Sequence, residues 1–158
     1  MSTKLCSVMY YSTQLSDGRQ HELNGISFIS HLAHTASILE EFGQSKDTIA
    51  ASFLRDLNLH DDSELVEECK ESINERVQDI INILSDKTPQ EIAKYAKTDV
   101  SHRSAALIIL ADIWSTLTLI EYAPEDEIED FKIYSLKIVN ILRGIDSRFD
   151  HFISELLD

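Results

Sequence analysis

Apolar positions along the chain recur at helical spacing almost from end to end. Leu5, Val8, Met9 and the segment Tyr11 to Leu15 predict a first helix over Met1 to Gln14. Ser16-Asp17-Gly18-Arg19 is a turn signal, and the loop it opens runs on through Asn24-Gly25. From Ser27, apolar residues at Phe28, Leu32, Ala36, Leu39 and Phe42 predict a second helix closed by Gly43. A third is predicted over Lys46 to Leu59, with Ser45 or Asp47 as its N-cap. Asp61-Asp62-Ser63 then caps a pair of short amphipathic helices, Ser63 to Lys70 and Glu75 to Leu84. Pro89 suits the first turn of the next helix, which runs to Tyr95. Ser101 to Tyr122 is apolar nearly all round, the pattern of a helix buried on most sides. Pro124 ends it, Asp126 to Leu142 follows, Gly144 stops that, and Ser147 to Leu157 closes the chain.

Periodic segments this long, with only four Gly and two Pro, predict an all-α protein rather than a β-sandwich. The expected architecture is a compact bundle of about eight helices. No repeat or linker divides residues 1–158, so a single domain is expected, long enough to bury a real core. No apolar run reaches the roughly eighteen residues of a membrane span. MSTKLCSVMYYSTQ lacks the apolar stretch of a secretory signal. Cys6 and Cys69 show neither metal-ligand spacing nor disulfide density, and no His or basic cluster beside them suggests a reactive thiolate. A reducing, cytoplasmic setting follows as the expectation.

Charge narrows the partners. Twenty-eight acidic against fourteen basic residues give a formal net charge of −14. Such a surface repels nucleic acid and anionic membrane, so neither is an expected partner. It also makes a polyphosphate costly to bind unless a metal or a local basic cluster offsets it. The acidic run Glu125 to Asp130 reads as a helix N-terminal turn, where negative charge is favourable. Trp114, on the most apolar helix, reads as a core residue rather than a base-stacking platform.

Few polar residues interrupt the apolar faces. Arg55-Asp56 sits at the edge of the face carrying Ala50, Phe53, Leu54 and Leu57, and a charged pair there needs partners. Asp112 lies between Ala111 and Ile113 and needs a cation, either a metal or an arginine. His31 and His34, three apart, can point in one direction, and His60 follows Asp56 by four. The plainer reading of either His31 or His34 alone is a surface or satisfied core histidine.

Taken in order, these segments resemble the HD-domain phosphohydrolases, and within them the RelA/SpoT branch with its small alarmone hydrolases. That branch carries YxxHP, AALLHDVVEDT, FGxxVxxLV and KLADRLHNLR segments. This chain has Phe28-Ile29-Ser30-His31, then Ala50-Ala51-Ser52-Phe53-Leu54-Arg55-Asp56, Ile73-Asn74-Glu75-Arg76-Val77, and Leu110-Ala111-Asp112. Order and spacing agree from about Tyr11 to Gly144. The resemblance implies an HD-domain helical bundle around one Mn²⁺-like site that hydrolyses the 3′-pyrophosphate of guanosine tetra- or pentaphosphate. The metal ligands it implies are His31, the His-Asp pair and Asp112.

The departures fall on that chemistry. The histidine of the pair is Arg55, which has no lone pair to offer and stays protonated. It is expected to stand in for the metal as an internal counter-ion, its fork on Asp56 or Asp112. The Glu-Asp pair that the family uses to position and activate water reads Leu59 and His60. Ile113, Trp114, Ser115, Thr116 and Thr118 replace the basic string after Asp112, and the basic loop of the family retains only Arg19 and His21 as weak candidates for substrate contact. His34 or His60 could serve as replacement ligands.

The reading that follows is a catalytically impaired relative with a binding or regulatory role. It needs no cofactor and takes a guanosine polyphosphate or a protein partner, with self-association left open. The alternative is an active phosphohydrolase of guanosine polyphosphates or other nucleotides, with Mn²⁺ in a rearranged site built on His31, Asp56, Asp112 and a spare histidine. A third reading is a helical interaction module with no ligand in the cleft.

Overall fold

A computed structural model describes residues 2–158, so the expected helix start at Met1 lies outside the described residues. Nine α-helices are formed among them: α1 Leu5–Leu15, α2 Phe28–Glu41, α3 Lys46–Phe53, α4 Glu64–Ser72, α5 Glu75–Asp86, α6 Pro89–Tyr95, α7 Val100–Thr118, α8 Glu125–Ile141 and α9 Ser147–Leu157. The only extended pairing among the described residues is an isolated antiparallel bridge between Gln20 and Ser27. Among the described residues no helix is long and apolar enough to cross a membrane.

Local chemistry accounts for the element ends. Side chains of Ser27, Ser45, Ser63, Asn74, Thr88 and Asp99 accept a backbone N–H from the first turn of α2, α3, α4, α5, α6 and α7. Pro89 sits in the first turn of α6, where its missing N–H costs nothing. Gly43, at φ +71°, turns the chain after α2 in the left-handed region that a Cβ disfavours. The acidic residues Glu125, Asp126 and Glu127 occupy the first turn of α8, as their charge favours.

α7 is the axis. It packs against α2, α3, α5, α6, α8 and α9, which explains why it is apolar nearly all round. Ala105, Ala106, Leu110 and Ala111 are fully buried, and the small residues let neighbouring helices come close. Trp114 is partly buried on the far side of α7, stacked on Phe152 with centroids 5.1 Å apart and edge-on to the buried Phe149. Its aromatic cluster is completed by Phe42, 5.3 Å away.

Two helices are shorter than their apolar spacing predicts. α3 ends at Phe53, and α7 ends at Thr118 with Ile120–Tyr122 as a separate 3-10 turn. After Phe53 the Leu54 N–H still reaches the Ala50 carbonyl, but the Leu57 N–H donates to Leu54 at 2.9 Å, closing a tighter 3-10 turn over Leu57–Leu59. Leu54 and Leu57 both remain buried, so the apolar spacing runs in phase through the break and hides it. Arg55 and Asp56 therefore stand in a turn between two helical segments, not along a helix face.

Candidate functional site

The site forms where α2, the turn after α3, and α7 meet. His31 is on the first half of α2, 3% exposed, and Asp112 is on the middle of α7. His31 Nε2 and Asp112 Oδ1 are 2.6 Å apart, although 81 residues separate them. Arg55 Nη1 donates to the same Oδ1, and Arg55 Nη2 lies 3.4 Å from Thr35 Oγ1. The buried Arg55 Nε has no hydrogen-bond partner among the described residues. Two cationic or polar donors thus converge on one carboxylate oxygen, and none of the described residues donates to the other, Oδ2.

Burial alone would push Asp112 toward protonation. The Arg55 charge and the His31 hydrogen bond outweigh it and hold the carboxyl well below the usual carboxylate range. The Asp112 side chain nevertheless keeps 37% of its surface open, toward the cavities described below.

Behind His31 the hydrogen bonds continue away from the cleft. Ser115 Oγ is 3.2 Å from His31 Nδ1 and 2.8 Å from His34 Nδ1. With neutral imidazoles the protons order themselves one way: His34 Nδ1–H donates to Ser115, Ser115 to His31 Nδ1, and His31 Nε2–H to Asp112. Burial, reinforced by His31, keeps His34 below the usual histidine range, in accord with that neutral form. His34 is not brought to the cleft. It supports His31 from behind.

Asp56 has other partners. Its Oδ2 accepts from Arg19 Nη1 at 2.8 Å, and its Oδ1 lies 3.7 Å from His60 Nε2. The Arg19 guanidinium also lies 4.1 Å over the Phe28 ring. His21 is locked into the same loop. Its Nδ1 accepts from the Leu23 N–H, and its Nε2 is 3.3 Å from Thr116 Oγ1, whose own proton goes to the Asp112 carbonyl. That arrangement calls for a neutral ring, and burial together with the neighbouring His31 lowers its proton affinity. The His21 ring meets His31 edge-on at 4.4 Å. Leu59, one of the two residues that the sequence resemblance would put at a water-positioning pair, is 75% exposed.

Two cavities flank the Arg55–Asp112 pair. One, of about 490 Å³, is walled by the Arg19-to-Leu23 loop, Phe28 and His31. The other, of about 330 Å³, is walled mainly by Leu84, Ile108, Ile109, Ile113 and Tyr134. Arg55, Asp112 and Phe131 line both, so they form the waist between a polar lobe and an apolar one.

A divalent metal held by His31, Asp56 and Asp112 does not fit these residues. The imidazole nitrogen that a metal needs already points its proton at Asp112 Oδ1, and a guanidinium shares that oxygen. Asp56 is engaged by Arg19 and His60 instead of converging on the pair. Among the described residues no group of three or more His, Cys, Asp or Glu side chains comes together as a metal site.

The expected residues Arg19, His21, His31, Arg55 and Asp112 all line the larger cavity, while Asp56 and Leu59 line the smaller one. Asp56, Leu59 and His60 also border a shallow depression beside Arg19. Sequence reasoning missed Thr35, Phe131 and the role of Ser115. Thr35 follows His31 by four and Ser115 follows Asp112 by three, helical spacings that would have put each on the face of its helix that carries a site residue. Phe131 carried no comparable signal.

No family model matches the sequence, and no curated protein is detectably similar to it. Among solved structures, one described as "A metazoan ortholog of SpoT hydrolyzes ppGpp and plays a role in starvation responses" superposes with a TM-score of 0.77, covering 99% of this chain and 94% of that one. The two sequences are 16% identical, so what they share is architecture. The helical HD-domain fold implied by the sequence resemblance is therefore the fold this chain adopts, shared with that SpoT-like ppGpp hydrolase.

Proposed function

We propose that this chain is a catalytically impaired relative of the guanosine tetra- and pentaphosphate 3′-pyrophosphohydrolases, and that it acts by binding, in a regulatory role, rather than by turnover. The observation that carries the reading is the Arg55 guanidinium on Asp112 Oδ1, beside the His31 proton. A fixed cation there supplies the positive charge the carboxylates require, but it cannot act as a Lewis acid or lower the pKa of a water. Two further features support it. Leu59 has no group with which to orient a nucleophile, and His60 lies against Asp56. The cations Arg19 and Arg55 are each paired with a carboxylate, which leaves little to hold a polyphosphate on a chain of net charge −14.

The test is a hydrolysis assay of the purified chain with guanosine tetraphosphate and Mn²⁺, together with its metal content. The reading predicts no turnover above the uncatalysed rate and substoichiometric Mn, Fe and Zn. Mn²⁺-dependent release of pyrophosphate would establish the active, rearranged site instead.

A further inference from the structure

The two lobes and their waist specify a ligand chemistry different from a polyphosphate, an inference that rests on the cleft being a binding site. Asp112 Oδ1 is saturated by His31 and Arg55, whereas Oδ2 receives no hydrogen bond from the described residues, and the side chain remains 37% exposed. What this waist offers a ligand is therefore an acceptor carrying negative charge. The three cations that line the cleft are all engaged: Arg19 with Asp56, Arg55 with Asp112, and Lys87 with Glu91 at 3.8 Å. An anion entering there meets a carboxylate whose counter-charge is already spent and competes for cations that already have partners. Phe131 borders both lobes, as Asp112 does, and the smaller lobe is walled mostly by apolar side chains, with Arg55, Asp56, Lys87 and Asp112 as its charged members.

An acceptor beside an aromatic ring, opening onto an apolar pocket, matches a flat apolar molecule with one N–H on its edge. We propose that the cleft takes an uncharged planar heterocycle bearing a ring N–H, which donates to Asp112 Oδ2 and packs against Phe131 in the apolar lobe. The carboxylate reads the donor, and Leu84, Ile108, Ile109 and Ile113 take the ring. Arg55 then has a second effect. By occupying Oδ1 it fixes which oxygen is offered.

Matched probes test this on the ¹⁵N-labelled full chain by NMR titration: indole, 1-methylindole, which lacks only the N–H, and pyrophosphate with and without Mn²⁺. Indole is expected to shift amides around Asp112 and Phe131, and to bind about tenfold more tightly than its methylated analogue, the ratio that a hydrogen bond to a charged acceptor produces. Phe131→Ala, at a partly exposed position and checked for an unchanged fold by its amide spectrum, should weaken both indoles while keeping their ratio. Equal affinities for the two indoles, indole shifts confined elsewhere, or pyrophosphate shifting the cleft amides would each overturn the assignment. Its failure is distinguishable from failure of the functional reading. Equal indole affinities alongside absent turnover defeat only the ligand class, whereas Mn²⁺-dependent turnover defeats the reading beneath it.

Discussion

Replacing Arg55 by alanine tests whether the guanidinium is the internal counter-ion of the cleft. The Arg55 side chain is 15% exposed and Asp112 is 37% exposed, and they are joined through one carboxylate oxygen. Breaking a fully buried ion pair by removing one partner costs about 3–5 kcal/mol, because the remaining charge stays desolvated. Here the Asp112 side chain is partly exposed and His31 still donates to it, so the cost is reduced to about 2–3 kcal/mol. For a domain of this size that lowers Tm by roughly 5–10 °C. The difference depends on pH with a definite sign. Arg55 holds the Asp112 carboxyl below its ordinary value. The stability it confers is therefore complete above the unfolded carboxylate range, near pH ~4, and is lost as pH falls through the lower folded value. Urea unfolding of wild type and Arg55→Ala in EDTA, at pH 7 and at pH 3, should show the full gap at pH 7 and a smaller one at pH 3. An unchanged or higher stability of the variant at pH 7 would refute the counter-ion role.

Arg55→His restores the imidazole of the HD pair but leaves Asp56 held by Arg19. The double variant Arg19→Ala/Arg55→His is therefore expected to bind one equivalent of Mn²⁺ by electron paramagnetic resonance, with wild type binding none. Phe149, fully buried among Phe42, Trp114 and α7, should cost about 3–5 kcal/mol when changed to alanine, read as a lower urea midpoint at constant m-value. Burial pushes the Cys69 thiol up to about 11, so at pH 8 a thiol reagent should label the exposed Cys6 and spare Cys69 until the chain unfolds.

Much of the helical order was legible in the sequence because the signals are local. Ser45, Ser63 and Pro89 fix helix starts through groups within three residues, and α6 and α9 begin and end where their patterns predict. The end of α3 was not legible. Leu54 and Leu57 keep an unbroken apolar spacing across a change from α to 3-10 hydrogen bonding. That change determines where Arg55 and Asp56 point, and it separates two residues that the linear motif joins. Arg55 goes to Asp112 and Asp56 to Arg19. The sequence offered Asp56 and Asp112 equally as partners for Arg55. The choice between them depends on contacts 57 residues apart in the chain, which no local pattern encodes. His34 illustrates the same limit, since its spacing from His31 suits a shared ligand set but Ser115 draws it behind the site.

Diffraction addresses directly whether a guanidinium stands where the sequence resemblance to the HD-domain phosphohydrolases implies a metal. Crystals grown in Mn²⁺ and measured above and below the manganese absorption edge are predicted to show no anomalous peak among His31, Asp56 and Asp112, with Arg55 in density on the Asp112 carboxylate. A manganese peak at that position, with Arg55 swung away, would contradict it.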